Sequence, residues 1–370
     1  MRWGGTRLHE KFEFRRVSWP SMAEGDELWQ ITGGNVSLGA FTDLKASGSI
    51  DYKGATVPDG GNLIRVYYSF SDESGESVTR PICTCFVDLG DDTHTGSFVE
   101  GSAELRSVLA VLADDGPGKP YVAAAGANPV SLAADIAKSL GLRVNVTPSS
   151  YRLAGSHICD PDETWLGVVN WLLAAAGYSS VYPDAMGTVQ MHPYVEPTKR
   201  SPSWWFRDDG ESAMKVSVTH SDNKSGIPNA VNLWYEDETC GIAAKAVNTD
   251  DRSSASTVVL GRTISMRVEV DEIAGNSVSE KLANLKQEAK KQLIDNSTLI
   301  EKLEIPCMYV PIEPNDCVGV EWEEAGIDFI GGCTAMDITC ALGAATVVKI
   351  RNLLPPDFEV TVSGEVSWSV

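Results

Sequence analysis

What most constrains the fold of this chain is a change of hydrophobic period along it. Residues 12 to 112 carry runs in which β-branched and aromatic residues recur near every second position: FEFRRVSW, DLKASGSIDY, NLIRVYYSF and TRPICTCFVDL. Gly, Asp and Ser punctuate them, as in PDGGN at 58–62 and SDESGES at 71–77. The stretch therefore predicts five or more short strands joined by turns, in a barrel or a sandwich. At Ala103–Leu112 the spacing becomes helical, with Leu105, Leu109 and Leu112 four and three residues apart. ADDGPGKP at 113–120 then breaks the chain.

Between about 121 and 196 the character changes, to a compact α+β module of two helices and a small sheet. NPVSLAADIAKSLG predicts a helix capped by Asn128, with Pro129 at its first position and Val130, Ala133, Ile136, Ala137 and Leu140 on one face. LRVNV reads as a short strand. DPDETWLGVVNWLLAAAG predicts a second helix, with Asp160 as cap, Pro161 in the first turn, Glu163 completing a capping box and Gly177 as the stop. SSVYPDAMGTVQMHPY reads as a hairpin turning at DAMG, and EPTKRSPS as a linker.

From about 204 the period returns to two. KVSVTH, NAVNLWYED, GIAAKAV and GRTISMRVEV are predicted strands, NAVNLWYED pairing with GIAAKAV. The polar stretch NTDDRSSAS is then a long surface connection whose Asn, Asp and Ser bond the local backbone, so no ligand is needed to explain it. SVSEKLANLKQEAKKQLIDN, 277–296, is the clearest helix. Ser277 and Glu280 form a capping box, and Leu282, Leu285, Ala289 and Leu293 an apolar stripe. LIEKLEI, DCVGVEW, GIDFIGGCTAMDITC, AATVVKI and EVTVSGEVSW supply closing strands. The chain reads as a β-rich α+β fold in three domains, 1–115, 116–200 and 201–370, the last being a β-barrel carrying the helix.

A length of 370 residues fits two or three domains, and a hydrophobic fraction of 43% fits a globular protein. The net charge of −21 opposes binding along a phosphate backbone; the densest basic groups are only Arg15–Arg16 and Lys290–Lys291. No window approaches the roughly eighteen apolar residues of a membrane helix, and the first residues show no apolar secretory core. Folding in a cytoplasm without stable membrane anchoring is expected. The eight cysteines, at 83, 85, 159, 240, 307, 317, 333 and 340, lack CxxC spacing, so reduced buried thiols are expected and no metal.

No catalytic constellation assembles. GxSxG, HExxH, GxxxxGK[ST] and a strand-following GxGxxG are missing from the sequence. The histidines, at 9, 94, 157, 192 and 220, are far apart. The acidic pairs Asp91–Asp92, Asp208–Asp209 and Asp250–Asp251 read as solvated loop charges. Trp204, Trp205 and Phe206 form the one aromatic cluster: exposed, it would stack on a sugar or dock a partner, and buried, it would begin the last domain or a subunit interface. Burial or an interface is preferred. No catalytic, cofactor-binding or metal residue is assigned, and the chain is not expected to be an enzyme.

In the order and spacing of its parts the chain resembles the tail-tip hub, or tail-associated, proteins of siphophages, relatives of the baseplate hub of contractile-tailed phages. The resemblance runs through FEFRRVSWP, DLKASGSIDY, NLIRVYYSFSDESGES, VLADDGPGKPYVAAAGANPV, DETWLGVVNWLLAAAGYSSVYPDAMGTVQMHPY, PNAVNLWYED, AAKAVNTDDRSSAS and LGRTISMRVEVDEIAGNSVSEKLANLKQEAKKQL. It implies two tail-tube-like β-barrel domains bracketing the small α+β module, assembled as a homotrimer at the distal tail tip of a virion. It further implies contacts with the distal tail protein, the tape-measure terminus and receptor-binding or fibre proteins, with genomic DNA only passing through the lumen. No cofactor is implied. The chain ends at SGEVSWSV, where many relatives continue into fibre or hydrolase extensions. A tail-tip cell-wall hydrolase and a carbohydrate-binding adhesin using Trp204–Phe206 are the rival expectations.

Overall fold

The computed structural model describes residues 9–58, 62–71, 77–153, 155–195, 200–209, 219–222, 226–251, 253, 255–270, 273, 277–297, 299–323, 326–344, 346–354 and 360–369. In chain order the first strands are β1 (His9–Ser18), β2 (Ala23–Glu27), β3 (Ile31–Gly39), β4 (Ala46–Gly54), β5 (Leu63–Ser71), β6 (Ser77–Thr95) and β7 (Phe98–Ser107). There follow α1 (Ala110–Ala113), β8 (Tyr121–Ala123), α2 (Pro129–Ser139), β9 (Val144–Val146), β10 (His157–Cys159), α3 (Trp165–Ala175), β11 (Tyr182–Pro183), β12 (Val189–Met191) and β13 (Trp204–Arg207). Next come β14 (Thr219–Asp222), β15 (Ala230–Glu236), β16 (Cys240–Asn248), α4 (Thr257–Leu260), β17 (Ser265–Glu269) and α5 (Val278–Ser297). The chain closes with β18 (Leu299–Cys307), β19 (Cys317–Trp322), β20 (Ile327–Thr339), β21 (Thr346–Leu354) and β22 (Val360–Ser369).

These elements form two units: Met1–Val218 with Glu304–Ile350, and Thr219–Leu303 with Arg351–Val370. In the first unit one large sheet runs β18–β21–β20–β3–β4–β7–β6–β5–β1–β2, with β19 on β20 and β13 on β19. The join between β20 and β3 is antiparallel, Ala335 opposite Gly39 and Thr339 opposite Asn35, so strands from both ends of the chain share one sheet. Among the described residues the strand order closes no barrel, where the resemblance implies two.

The helical segment shares a core with these strands. Val17, Leu63 and Leu109 lie in one buried cluster with Val130, Leu172 and Met191. The expected DAMG turn is the polar part of that junction. The Asp184 carboxylate accepts the Met186 and Thr188 amides at 2.9 and 2.8 Å, and Gly187 takes φ 80°, where a side chain would be strained. A Cβ there would also lie 2.6 Å from Met22 Cε. Thr84 Oγ1 donates to the Ala185 carbonyl at 2.8 Å. Arg65, 2% exposed, donates to Thr84 Oγ1, Glu24 Oε2 and the Met186 carbonyl at 2.9, 2.7 and 3.1 Å. A buried guanidinium with every side engaged ties turn to sheet, and removing it would leave the Thr84 hydroxyl and the Met186 carbonyl without this donor.

Three local expectations are corrected. Leu105 belongs to β7, where Ala103, Leu105 and Ser107 are buried in period two; helix begins only at Ala110. Thr164, not Asp160, caps α3, its hydroxyl accepting the Gly167 amide at 3.1 Å, because Asp160–Glu163 forms a separate turn closed by Glu163 N–H to Asp160 O. Trp204–Phe206 joins the first unit's sheet instead of beginning a barrel. Of KVSVTH, the residues 215–218 lie outside the described residues.

The second unit is a four-stranded sheet, β17–β15–β16–β22, with α5 against one face. Alternation in β15 sends Val231, Leu233 and Tyr235 to the helix, and Leu285, Ala289 and Leu293 meet them, all fully buried on the helix side. Each leucine so buried contributes about 1.5–3 kcal/mol. Ser277 caps α5, accepting the Glu280 amide at 3.2 Å. At the β15–β16 turn the Asp237 carboxylate accepts Thr239 N, Cys240 N and Tyr235 Oη at 2.7, 2.9 and 2.8 Å, and Lys281 Nζ of α5 at 2.5 Å. Hydrogen bonds from Lys281 first, then Thr239 and Tyr235, hold this carboxyl far below the ordinary range.

The polar stretch after β16 closes on itself. Asn248 Nδ2 donates to Ser253 Oγ at 2.9 Å, the Asp250 amide to Asn248 Oδ1, and Ser256 caps α4. It is less superficial than expected: Asn248 and Ser256 are fully buried and Asp250 is 8% exposed.

Candidate interaction surfaces

β13 lies parallel to β19, with Trp204, Trp205 and Phe206 opposite Val318, Gly319 and Val320. Phe206 is fully buried, while both tryptophans are half-buried. Trp205 lies flat on the strand: a Cβ on Gly319 would meet its Cε3, Cζ3 and Cδ2 at 2.2, 2.4 and 2.6 Å. Arg207 stands over the indole at 5.0 Å from the ring centroid and donates to Glu321 at 2.7 Å. A guanidinium thus lies over the ring, Phe206 is buried, and the three residues do not form one open platform.

The histidines stay apart. His157 stacks on Trp171 at 3.7 Å with 9° between the planes. His192 Nδ1 bonds Thr147 Oγ1 at 2.7 Å and its Nε2 bonds Gln190 Oε1 at 2.9 Å. His94 meets Asp92 at 3.3 Å on the exposed end of the β6–β7 hairpin, and the His220 side chain lies outside those described. All eight cysteines are buried and none is in a disulfide. No group of three His, Cys, Asp or Glu among the described residues could hold a metal ion. In the first unit a cavity of about 40 Å³ is lined by Lys45, Cys83, Tyr182 and Asn315. Burial lowers the Lys45 ammonium, which donates to the Ala40 carbonyl at 2.7 Å. The space suits water, not a substrate.

The sequence reading missed the open face of the second unit. The face of the sheet turned away from α5 carries two rows. Glu269, Trp234, Ala243 and Glu365 are in register across the sheet, and beside them stand Glu236, Gly241 and Trp368. A bulge in the β16–β22 register puts Trp368 opposite Gly241. Its indole lies flat there, since a Cβ on Gly241 would meet Nε1, Cδ1 and Cε2 at 2.3, 2.8 and 3.0 Å. Trp234 and Trp368 remain 40% and 39% exposed. Alternation in NLWYE predicts an outward Trp234, but nothing local marks Trp368 as its neighbour.

No family profile matches the sequence, and no curated protein matches it. Solved structures do. A tail protein from Neisseria meningitidis MC58 aligns over 94% of this chain and 99% of its own, with a TM-score of 0.63 and 15% identity. The 43 kDa tail protein of prophage MuSo2 from Shewanella oneidensis aligns over 91% and 98%, at 0.63 and 14%. The prophage tail protein gp18 from Listeria monocytogenes EGD-e aligns over 92% and 94%, at 0.53 and 10%. The fold is that of phage and prophage tail proteins.

Proposed function

We propose that this chain is a structural protein of a phage-type tail, the hub at the distal tip that closes the tube and opens for DNA ejection. The observation that carries the reading is the whole-chain likeness to tail proteins, over 94% of this chain and 99% of the Neisseria protein. In this reading 1–115 and 201–370 supply the tube-like parts and 116–200 the module beside them. The working form is a homotrimer in the virion, meeting the distal tail protein, the tape-measure terminus and fibre or receptor-binding proteins. It carries no chemistry of its own, and an acidic lumen lets DNA slide without sticking.

Two measurements test this. Light scattering of the purified chain with and without its distal tail protein should give a trimer at least in the mixture. Electron microscopy of tails bearing a tagged copy should put the tag at the tip. A tag along the shaft, or clearing on a peptidoglycan zymogram, sinks the reading.

A further inference from the structure

We propose that the open face of the second unit's sheet docks a lysine- or arginine-bearing segment of another protein. The inference does not rest on the tail-tip reading. It comes from a pattern repeated within the molecule. Lys11 stands over Trp29 at 5.0 Å, Arg15 over Tyr67 at 5.8 Å, Arg207 over Trp205 at 5.0 Å and Lys281 over Tyr235 at 5.4 Å. In every case the cation also meets a carboxylate: Lys11 with Glu13 and Glu27, Arg15 with Glu13 and Glu24, Arg207 with Glu321, Lys281 with Asp237. Ring, carboxylate and cation recur together because the electron-rich ring face and the anion attract the same charge.

The face bearing Trp234 and Trp368 has the first two parts without the third. Glu236, Glu269 and Glu365 stand in the two tryptophan rows. Among the described residues no cation lies over either ring and no ion pair engages these three carboxylates. Lys245 and Arg267 are in register with Asn232, one row further along. Ala243 beside Trp234, and the Trp368 ring lying flat on Gly241, leave the surface low, so both indoles are open to an incoming side chain. A partner must therefore bring positive charge. A second copy docked face to face would set these carboxylates against their own duplicates, whereas a basic segment is steered in.

The probe is a dye-labelled octapeptide alternating Lys and Ser, titrated into the full chain at low ionic strength and followed by fluorescence anisotropy. Binding should weaken about fivefold in Trp368→Ala and again in Trp234→Ala, although neither changes the net charge. Glu236→Gln with Glu365→Gln should weaken it as well, and this pair leaves the tryptophan packing intact should either alanine variant melt early. A Glu/Ser peptide should not bind. The proposal is overturned if the Lys/Ser peptide fails to bind, or binds the double tryptophan variant as tightly as the parent. Sedimentation showing self-association that is lost in Trp368→Ala would overturn it too, by giving the face to a second copy.

Discussion

A tryptophan ring lies on a strand glycine twice in this protein, Trp205 on Gly319 and Trp368 on Gly241. The packing device is the same: an aromatic neighbour covers the backbone that a glycine leaves bare. The surroundings differ. Beside Trp205, Phe206 is fully buried and Arg207 covers the ring, so the aromatic run belongs to the fold of the first unit. Beside Trp368 stand Gly241, Glu236 and solvent, and the unit's core lies on the opposite face under α5. Aromatic composition alone does not distinguish a structural cluster from an available one. The identity of the next charged residue does.

The largest expected effect tests the structural side. Phe206→Ala should cost about 3–5 kcal/mol in chemical denaturation, as for any fully buried phenylalanine. A loss below 1 kcal/mol, by that scale, would mean β13 is an appendage and not part of the sheet.

The next difference appears in acid. The Asp237 carboxyl is held low in the folded state by Lys281, Thr239 and Tyr235. A depressed folded value contributes stability that is present above the unfolded value of about 3.9 and is lost as pH falls below it. Thermal melts should therefore show the second unit losing stability below about pH 4. Asp237→Asn should lower stability at neutral pH and flatten that acid limb. An unchanged acid limb in the variant would show that other carboxylates govern it.

A third test compares the two glycines directly. A Cβ on Gly319 pushes Trp205 against Arg207 and its neighbours, so Gly319→Ala should cost about 1–3 kcal/mol. The same substitution at Gly241 lets a half-exposed Trp368 swing into solvent and should cost under about 1 kcal/mol, partly offset by lost chain entropy in the unfolded state. Equal losses would erase the contrast.

How far the sequence foretells this depends on the range of each interaction. The α5 stripe, the Asn128 cap and the β15–β16 pair were legible because their signals lie within a few residues. β3 was not, because ITGGNVSLG reads as turn: Gly34 is there for contact, a Cβ on it falling 2.2 Å from the Ser49 carbonyl of β4. The β20–β3 join leaves no local trace at all; Ser37 donates to Asp337 across 300 residues. The open tryptophan face was hidden for the same reason, since β22 reaches β16 from the far end of the chain. Trp204–Phe206 is legible because its three rings are adjacent in sequence, although it is the covered site of the two.

The smallest expected change in stability comes from Arg207, and it tests the comparison at its root. Its ion pair with Glu321 is 44% exposed on both sides, where such pairs contribute little. Arg207→Gln should leave the melting profile nearly unchanged. It does, however, remake the covered site into the other kind: a half-buried indole flat on glycine, beside a carboxylate that has lost its cation. If the missing cation is what makes the Trp368 face receptive, the variant should bind the Lys/Ser octapeptide at a second, weaker site. That site should vanish again in Arg207→Gln with Glu321→Gln. Stoichiometry by isothermal titration reads the outcome. A variant that binds no additional peptide would mean that the low Gly241–Ala243 surface, and not an unmet charge, sets the two sites apart.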